Sequence, residues 1–338
     1  MSSAVKSRNV YLDILKGISC IFIIFIHRPF PGTFGNIIQA IGRAGVAIFF
    51  AISGFYAYNK SHDVMVSRMP KKILHIGRIL LYALLFYFVW ECFIRWAGTG
   101  FSSTYDWVTN HVFSPYIWYL ALVWDKDPVV GHLWFLFALL RCYFLFYLLL
   151  KCRLEKLAPF ISAVCLIGTL VLQTAGLQNY YYRNGWFYGM GFFMAGCYIA
   201  AYSKKDLNKN LVCAAMAAGL ILSTIGGIRS PKEQIYIGTI ILGISSFFWA
   251  VTKAGETTDN PIANMFAEIG AKYGTLIYVI HWSIKECLIK VDKMFAFARS
   301  PLVQWLSPLI LVFLSVVSCV VLYHIIDKIS NTVRKKNE

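Results

Sequence analysis

Residues 43–55 read Arg-Ala-Gly-Val-Ala-Ile-Phe-Phe-Ala-Ile-Ser-Gly-Phe, a run in which only the first residue is charged. It lies in an apolar segment, residues 37–58, long enough to cross a bilayer core of roughly 30 Å as a helix. Gly42, Gly45 and Gly54 along this segment are expected to let a neighbouring helix approach closely. Ser53 is expected to bond its own backbone or to ease packing. Just upstream, residues 10–28 form another apolar segment, which holds Lys16 and His27 eleven residues apart. Eleven residues is almost three helical turns, so both polar groups fall on one face, roughly 16 Å apart along the axis. A basic residue and a histidine on one face of a membrane helix are costly to keep there and mark a place where function is expected.

Composition supports the membrane setting. Of 338 residues, 58% are hydrophobic and 14% are charged, more apolar surface than a soluble domain of this size can hide. The first apolar segment carries Asp13 and Lys16 and has no small-residue cleavage site, so it reads as a retained helix. The net charge of +16 raises nucleic acid as a partner. The basic residues fall mainly in alternate loops, however, which is the pattern of cytoplasmic loops and argues against it. Nine cysteines, at 20, 92, 142, 152, 165, 197, 213, 287 and 319, are scattered with no CxxC pair. They read as small buried hydrophobes, with neither a disulfide framework nor a metal site.

The expected fold is an all-α membrane bundle of about ten helices in one domain spanning residues 1–338. The segments lie near 10–28, 37–58, 76–96, 131–150, 158–176, 185–203, 210–227, 234–251, 270–288 and 303–325. Lys6 and Arg8 precede the first. Lys60, Arg68, Lys71, Lys72 and Arg78 lie between the second and third or just inside them. Lys151, Arg153 and Lys156 follow the fourth, and Lys204, Lys205 and Lys209 the sixth. Lys328, Arg334, Lys335 and Lys336 come after the last. All share one side, so both termini are expected in the cytoplasm; the basic loop 289–301 is an exception. Residues 98–130 are expected to be the longest outer loop. Its aromatic residues, among them Trp107, Tyr116 and Trp124, read either as an interfacial belt or as a stacking platform for a sugar. Glu91 and Arg141 are expected to pair across the third and fourth helices.

Several motifs occur in a fixed order: Lys16-x10-His27, then Gly45-Val-x-x-Phe-Phe-x-Ile-Ser-Gly-Phe55, then Gly131-His-Leu-Trp-Phe-Leu136, then Tyr278-Val-Ile-His281. Together they resemble the acyltransferase-3 family of integral membrane O-acyltransferases over about residues 8–325. Asp13-Ile-Leu-Lys16 is similar to the family's D-x-L-R, with lysine replacing arginine and losing its planar fork. The resemblance implies a multi-pass protein of the bacterial cytoplasmic membrane. It implies transfer of an acetyl or other short acyl group from an acyl-CoA donor, acetyl-CoA foremost, to a hydroxyl of an extracytoplasmic or lipid-linked glycan, with no permanently bound cofactor. Acyl-CoA, the glycan and membrane lipids are then the partners. Oligomeric state is not readable.

Under that resemblance His27 falls on the family's histidine. A neutral imidazole there can accept the proton of an acceptor hydroxyl; a covalent acyl-histidine is the other chemistry open to it. Asp13 and Lys16 either neutralise one another or line the donor entrance. Lys72-Ile-Leu-His75 stands where the family shows R-x-x-R, and reads as a phosphate-binding site for coenzyme A or as a membrane anchor. Arg43, His132, Trp134, Arg183, Tyr278 and His281 are expected on the outer side around the acceptor, in one cavity with His27. The oxyanion-stabilising group is not readable from the sequence; Arg43 and Trp134 are candidates for it. Competing readings are a transporter or flippase of a glycan or lipid precursor, which would also keep charges near the midplane, and a catalytically silent membrane sensor.

Overall fold

The computed structural model describes residues 8–202, 208–295 and 300–337, and these contain helices and connecting turns with no strand. The basic residues Lys6, Lys204 and Lys205 lie outside the described residues. The helices are α1 (Val10–His27), α2 (Gly32–Ala57), α3 (His62–Trp107), α4 (Pro115–Trp124), α5 (Trp134–Lys151), α6 (Ala158–Thr174), α7 (Tyr188–Tyr202), α8 (Lys209–Arg229), α9 (Ile237–Thr252), α10 (Pro261–Glu268), α11 (Gly274–Phe295) and α12 (Pro301–Asn337).

All ten expected apolar segments are helical, and seven stretches are long and apolar enough to cross a membrane. The segments now in α7, α9 and α11 fall short of that measure. α7 and α9 are only 15 and 16 residues long, and the C-terminal half of α11 carries Lys285, Glu286, Lys290, Asp292 and Lys293.

The largest departure from expectation is α3. It begins at His62, fourteen residues before the expected segment, and runs on past it to Trp107 with a break in helical geometry at Gly100 (φ 85°). A π-helical turn, Val108–Val112, and then α4 follow. Residues 98–130 are therefore mostly helical, and not the open loop expected from sequence. Hydropathy marks only the part of a helix that is apolar; the polar extensions at 62–75 and 97–107 continue the same backbone hydrogen bonding without the apolar signal.

The chain divides into two compact units, one of residues 1–49 and 206–338, the other of 50–205. In the first, α1 starts at Asn9, whose side chain accepts from the backbone N–H groups of Tyr11 and Leu12. It stops at His27 because Pro29 and Pro31 cannot continue it. α1 packs on α10, on the π-helical turn Ile269–Tyr273, and on α11. The approach is close enough to require glycine. A Cβ at Gly17 would stand 2.1 Å from the Phe266 carbonyl oxygen, and one at Gly270 would stand 2.0 Å from that of Asp13. Neither obstacle is a side chain that could swing away. Lipid tails offer no hydrophobic drive to pair helices, so backbone contact of this kind carries the packing. A core of Cys20, Ile24, Ile269, Tyr273, Ile277, Leu311 and Cys319 then joins α1, α11 and α12.

In the second unit, α3 packs on α5 and α6 on α7. The glycines along α2 behave as expected, each in its own unit. A Cβ at Gly42 or Gly45 would crowd α1 at Phe22 or Ser19, and one at Gly54 would meet the Phe193 carbonyl oxygen at 1.9 Å.

Candidate functional site

The first unit brings His27 and His281 together. His27, half-buried in the last turn of α1, has its ring centre 5.2 Å from that of His281 on α11 and 5.2 Å from that of Trp282. His281 is fully buried. Its Nδ1 lies 2.9 Å from the carbonyl oxygen of Ile277, one turn back. That nitrogen must therefore carry the proton, which leaves Nε2 as the acceptor nitrogen of the neutral ring. Tyr278 flanks His281 at 6.3 Å between ring centres, the i, i+3 neighbour expected of one helix face.

Trp282 is itself held from two sides. Its Nε1 donates to Glu286 Oε1 at 3.0 Å, and the Lys285 ammonium lies over its ring, 2.9 Å from the centre. The α1 end is clamped as well. Arg28, next to His27, binds the Asp292 carboxylate and donates to Ser307 Oγ at 2.9 Å. Gln39 donates to the Ile26 carbonyl at 3.0 Å. His27 is thus an imidazole on a braced helix end, within an aromatic wall. Helix C-termini favour positive charge by about 0.3–1 kcal/mol, so the α1 end suits a group that must take up a proton.

At the other end of α1, Asp13 is buried. It binds both Lys16 (3.0 Å) and Arg8 (2.7 Å), so the Asp13–Lys16 pairing that sequence left open exists. Arg8 is an additional partner that sequence did not single out. Arg43 donates from Nη1 to Gln234 Oε1 at 2.8 Å, which spends at least part of its fork on α2 anchorage.

The second unit holds the remaining candidates. Lys71, Lys72, His75, Ile76 and Tyr143 line an open cavity of about 210 Å³, and the Lys72 ammonium stands 5.5 Å from the centre of the Tyr143 ring. His75 is exposed and Lys72 half-buried. They sit more than two turns inside α3 and not at its start. Elsewhere in this unit the Arg183 guanidinium stacks on Trp134 at 4.7 Å. This covers an indole face with a cation. His132, buried, meets the Tyr87 ring edge-on at 4.9 Å.

Two carboxylates that sequence did not single out organise this region. Asp125, buried at the end of α4, binds Arg141 (2.8 Å) and accepts from the Gly185 N–H at 2.7 Å. Glu91 instead binds Arg95, four residues on. The expected Glu91–Arg141 pair is therefore replaced by two separate ones, because the helical Pro115–Trp124 segment delivers a closer acid to Arg141. Removing one partner of such a buried pair typically costs about 3–5 kcal/mol. Burial pushes the Asp125 carboxyl upward, and Arg141 and the Gly185 N–H pull it back. Asp127 accepts from the backbone N–H groups of Val129, Val130 and Leu133 at 2.8–3.0 Å. It thereby folds the turn that presents His132 and opens α5 at Trp134. Burial pushes its carboxyl up to about 7, against those three N–H donors. An Asp-x-Asp just ahead of an apolar helix was the signal available in sequence, hidden within what reads as an aromatic loop.

A family model described as an acyltransferase domain (Acyl_transf_3) matches residues 9–324. No curated protein and no solved structure matches the chain.

Proposed function

The chain belongs to this acyltransferase family, a multi-pass membrane protein by its apolar helices, and from that premise we propose that it carries a short acyl group, acetyl foremost, from acyl-CoA to a hydroxyl of an extracytoplasmic or lipid-linked glycan. The setting we propose is the bacterial cytoplasmic membrane, with both termini in the cytoplasm.

The observation that carries the reading is the His27–His281 contact. A base for hydroxyl attack needs a fixed imidazole whose pKa is near working pH and whose acceptor nitrogen is presented to the substrate. His27 has the right chemistry, and His281 and Trp282 restrict its ring. His27 takes the acceptor's proton as the hydroxyl oxygen attacks the thioester carbon. The tetrahedral oxyanion collapses, the C–S bond breaks, and the proton passes to the departing thiolate. The positive charge His27 bears meanwhile is favoured by the α1 carbonyl end.

Donor binding is assigned to Lys71, Lys72 and His75, whose cavity can take up phosphate oxygens through charge-assisted bonds. Asp13 and Lys16 brace one another and Arg8, and line the donor's path. Acceptor binding is assigned to Tyr278 and His281 beside His27; in the second unit, taken by itself, the Trp134 indole beside the Arg183 guanidinium is a surface that suits a sugar face with its hydroxyls. Arg43 supports α2 beside the acceptor.

The test is direct. Purified protein in lipid nanodiscs should release free CoA from acetyl-CoA only when membranes bearing the glycan precursor are added. The surface glycan of cells with the gene should be heavier by one acetyl unit than that of cells without it. Unchanged glycan mass together with no CoA release contradicts the proposal.

A further inference from the structure

The structure assigns the oxyanion-binding role to Lys285, a residue outside every motif of the sequence; the inference rests on the acyl-transfer reading of His27. It follows from the way Trp282 is used. Its indole is fixed by the Nε1 bond to Glu286. One contact of the ring is His27, edge-on at 5.2 Å and 76°. Another is the Lys285 ammonium, 2.9 Å from the ring centre. The two separations added place the ammonium no more than about 8 Å from the His27 ring centre. Lys285 also acts electrostatically on His281, one turn back on α11. Base and cation therefore share one indole platform, with His281 packed on the base.

That upper bound is compatible with the reaction. Hydrogen bonds of about 2.8 Å from base to attacking oxygen and from ammonium to oxyanion, bridged by one tetrahedral carbon, need a base-to-ammonium distance of about 8 Å or less. A lysine held against an indole face keeps N–H groups directed away from the ring. A preorganised cation acts directly on the negative charge that develops in the transition state.

In the step itself, the hydroxyl oxygen bonds to the thioester carbon and the carbonyl π pair moves onto oxygen. Lys285 donates a hydrogen bond to that oxygen while His27 holds the proton. The pair then returns, the C–S bond breaks, and the thiolate takes the proton from His27. Lys285 keeps its own protons throughout.

The experiment compares Lys285→Met, Lys285→Arg and His27→Ala with the unsubstituted protein in nanodiscs. Acetyl-CoA is the donor and glycan-bearing membranes the acceptor, and thermal midpoints are measured alongside. Lys285→Met should lower kcat about 10²- to 10³-fold with the KM for acetyl-CoA within threefold of wild type. Lys285→Arg, which keeps the charge, should recover at least tenfold of that loss at an equal thermal midpoint. The inference is overturned by a Lys285→Met kcat within threefold of wild type, by a change confined to KM, or by an arginine variant no faster than methionine. A dead His27→Ala beside an active Lys285→Met removes only the role of Lys285. An active His27→Ala removes the acyl-transfer reading on which it rests.

Discussion

The rings of His27, at the end of α1, and His281, in the middle of α11, sit 5.2 Å apart and tilted by 33°. Sequence expects both near the outer side because α1 and α11 correspond to segments running in the same direction. The structure brings them into contact, with His281 fixed through Nδ1 to the Ile277 carbonyl. A buried ring so held sets where its neighbour can point. His281→Ala should lower kcat for transfer by about 10²-fold, the usual cost of misplacing a reacting group by an ångström, and leave the KM for acetyl-CoA unchanged. Steady-state kinetics at varied donor concentration checks this; a donor KM that rises in step with the loss contradicts it.

The Lys71, Lys72 and His75 side chains around their cavity should govern donor affinity. Neutralising both Lys71 and Lys72 should raise the KM for acetyl-CoA roughly tenfold or more with a smaller change in kcat. Because the contact is with phosphate, the KM for acetyl-pantetheine, which lacks the nucleotide phosphates, should be the same in wild type and variant. An unchanged acetyl-CoA KM would return these residues to a membrane-anchoring role.

Asp127 gives the turn before α5 a pH dependence whose sign is fixed. Its carboxyl stands at about 7 when folded, against an ordinary 3.8. The unfolded chain therefore gives up this proton first as pH rises. The contribution to stability is fully present below about pH 4, is lost progressively as pH climbs to about 7, and is flat above that. Asp127→Asn removes the titration and, with one acceptor oxygen in place of two, leaves the Leu133 N–H poorly served, at about 1–3 kcal/mol. The thermal midpoint of wild type should exceed that of Asp127→Asn at pH 5, and the gap should narrow towards pH 7.5. A gap that does not vary with pH contradicts the assignment.

Much of the fold is legible because a bilayer leaves the backbone few options. Each run of about twenty apolar residues must close its hydrogen bonds within a helix, so all ten segments appear. What sequence misses lies where that constraint is absent. The polar ends of α3 carry no hydropathy signal, so residues 62–75 and 97–107 read as loops. The helical α4 inside an aromatic stretch moves Asp125 onto Arg141, where sequence pairs Glu91 with it. In the candidate site, His27 and His281 are found by motif, whereas Lys285 and Glu286 matter through their contacts with Trp282. The i, i+4 step from His281 to Lys285 was visible, but nothing in a single helix face says which tryptophan a lysine will cover.

The central claim is that His27 is the base. The measurement that tests it most directly is the single-turnover rate of acetyl transfer by His27→Ala protein in nanodiscs, with donor binding to the same preparation measured by calorimetry. The account predicts a rate about 10²- to 10⁴-fold below wild type with acetyl-CoA affinity and thermal midpoint essentially unchanged. Retention of more than about half of the wild-type rate by a folded His27→Ala protein would contradict it and leave His27 as a residue of the membrane interface.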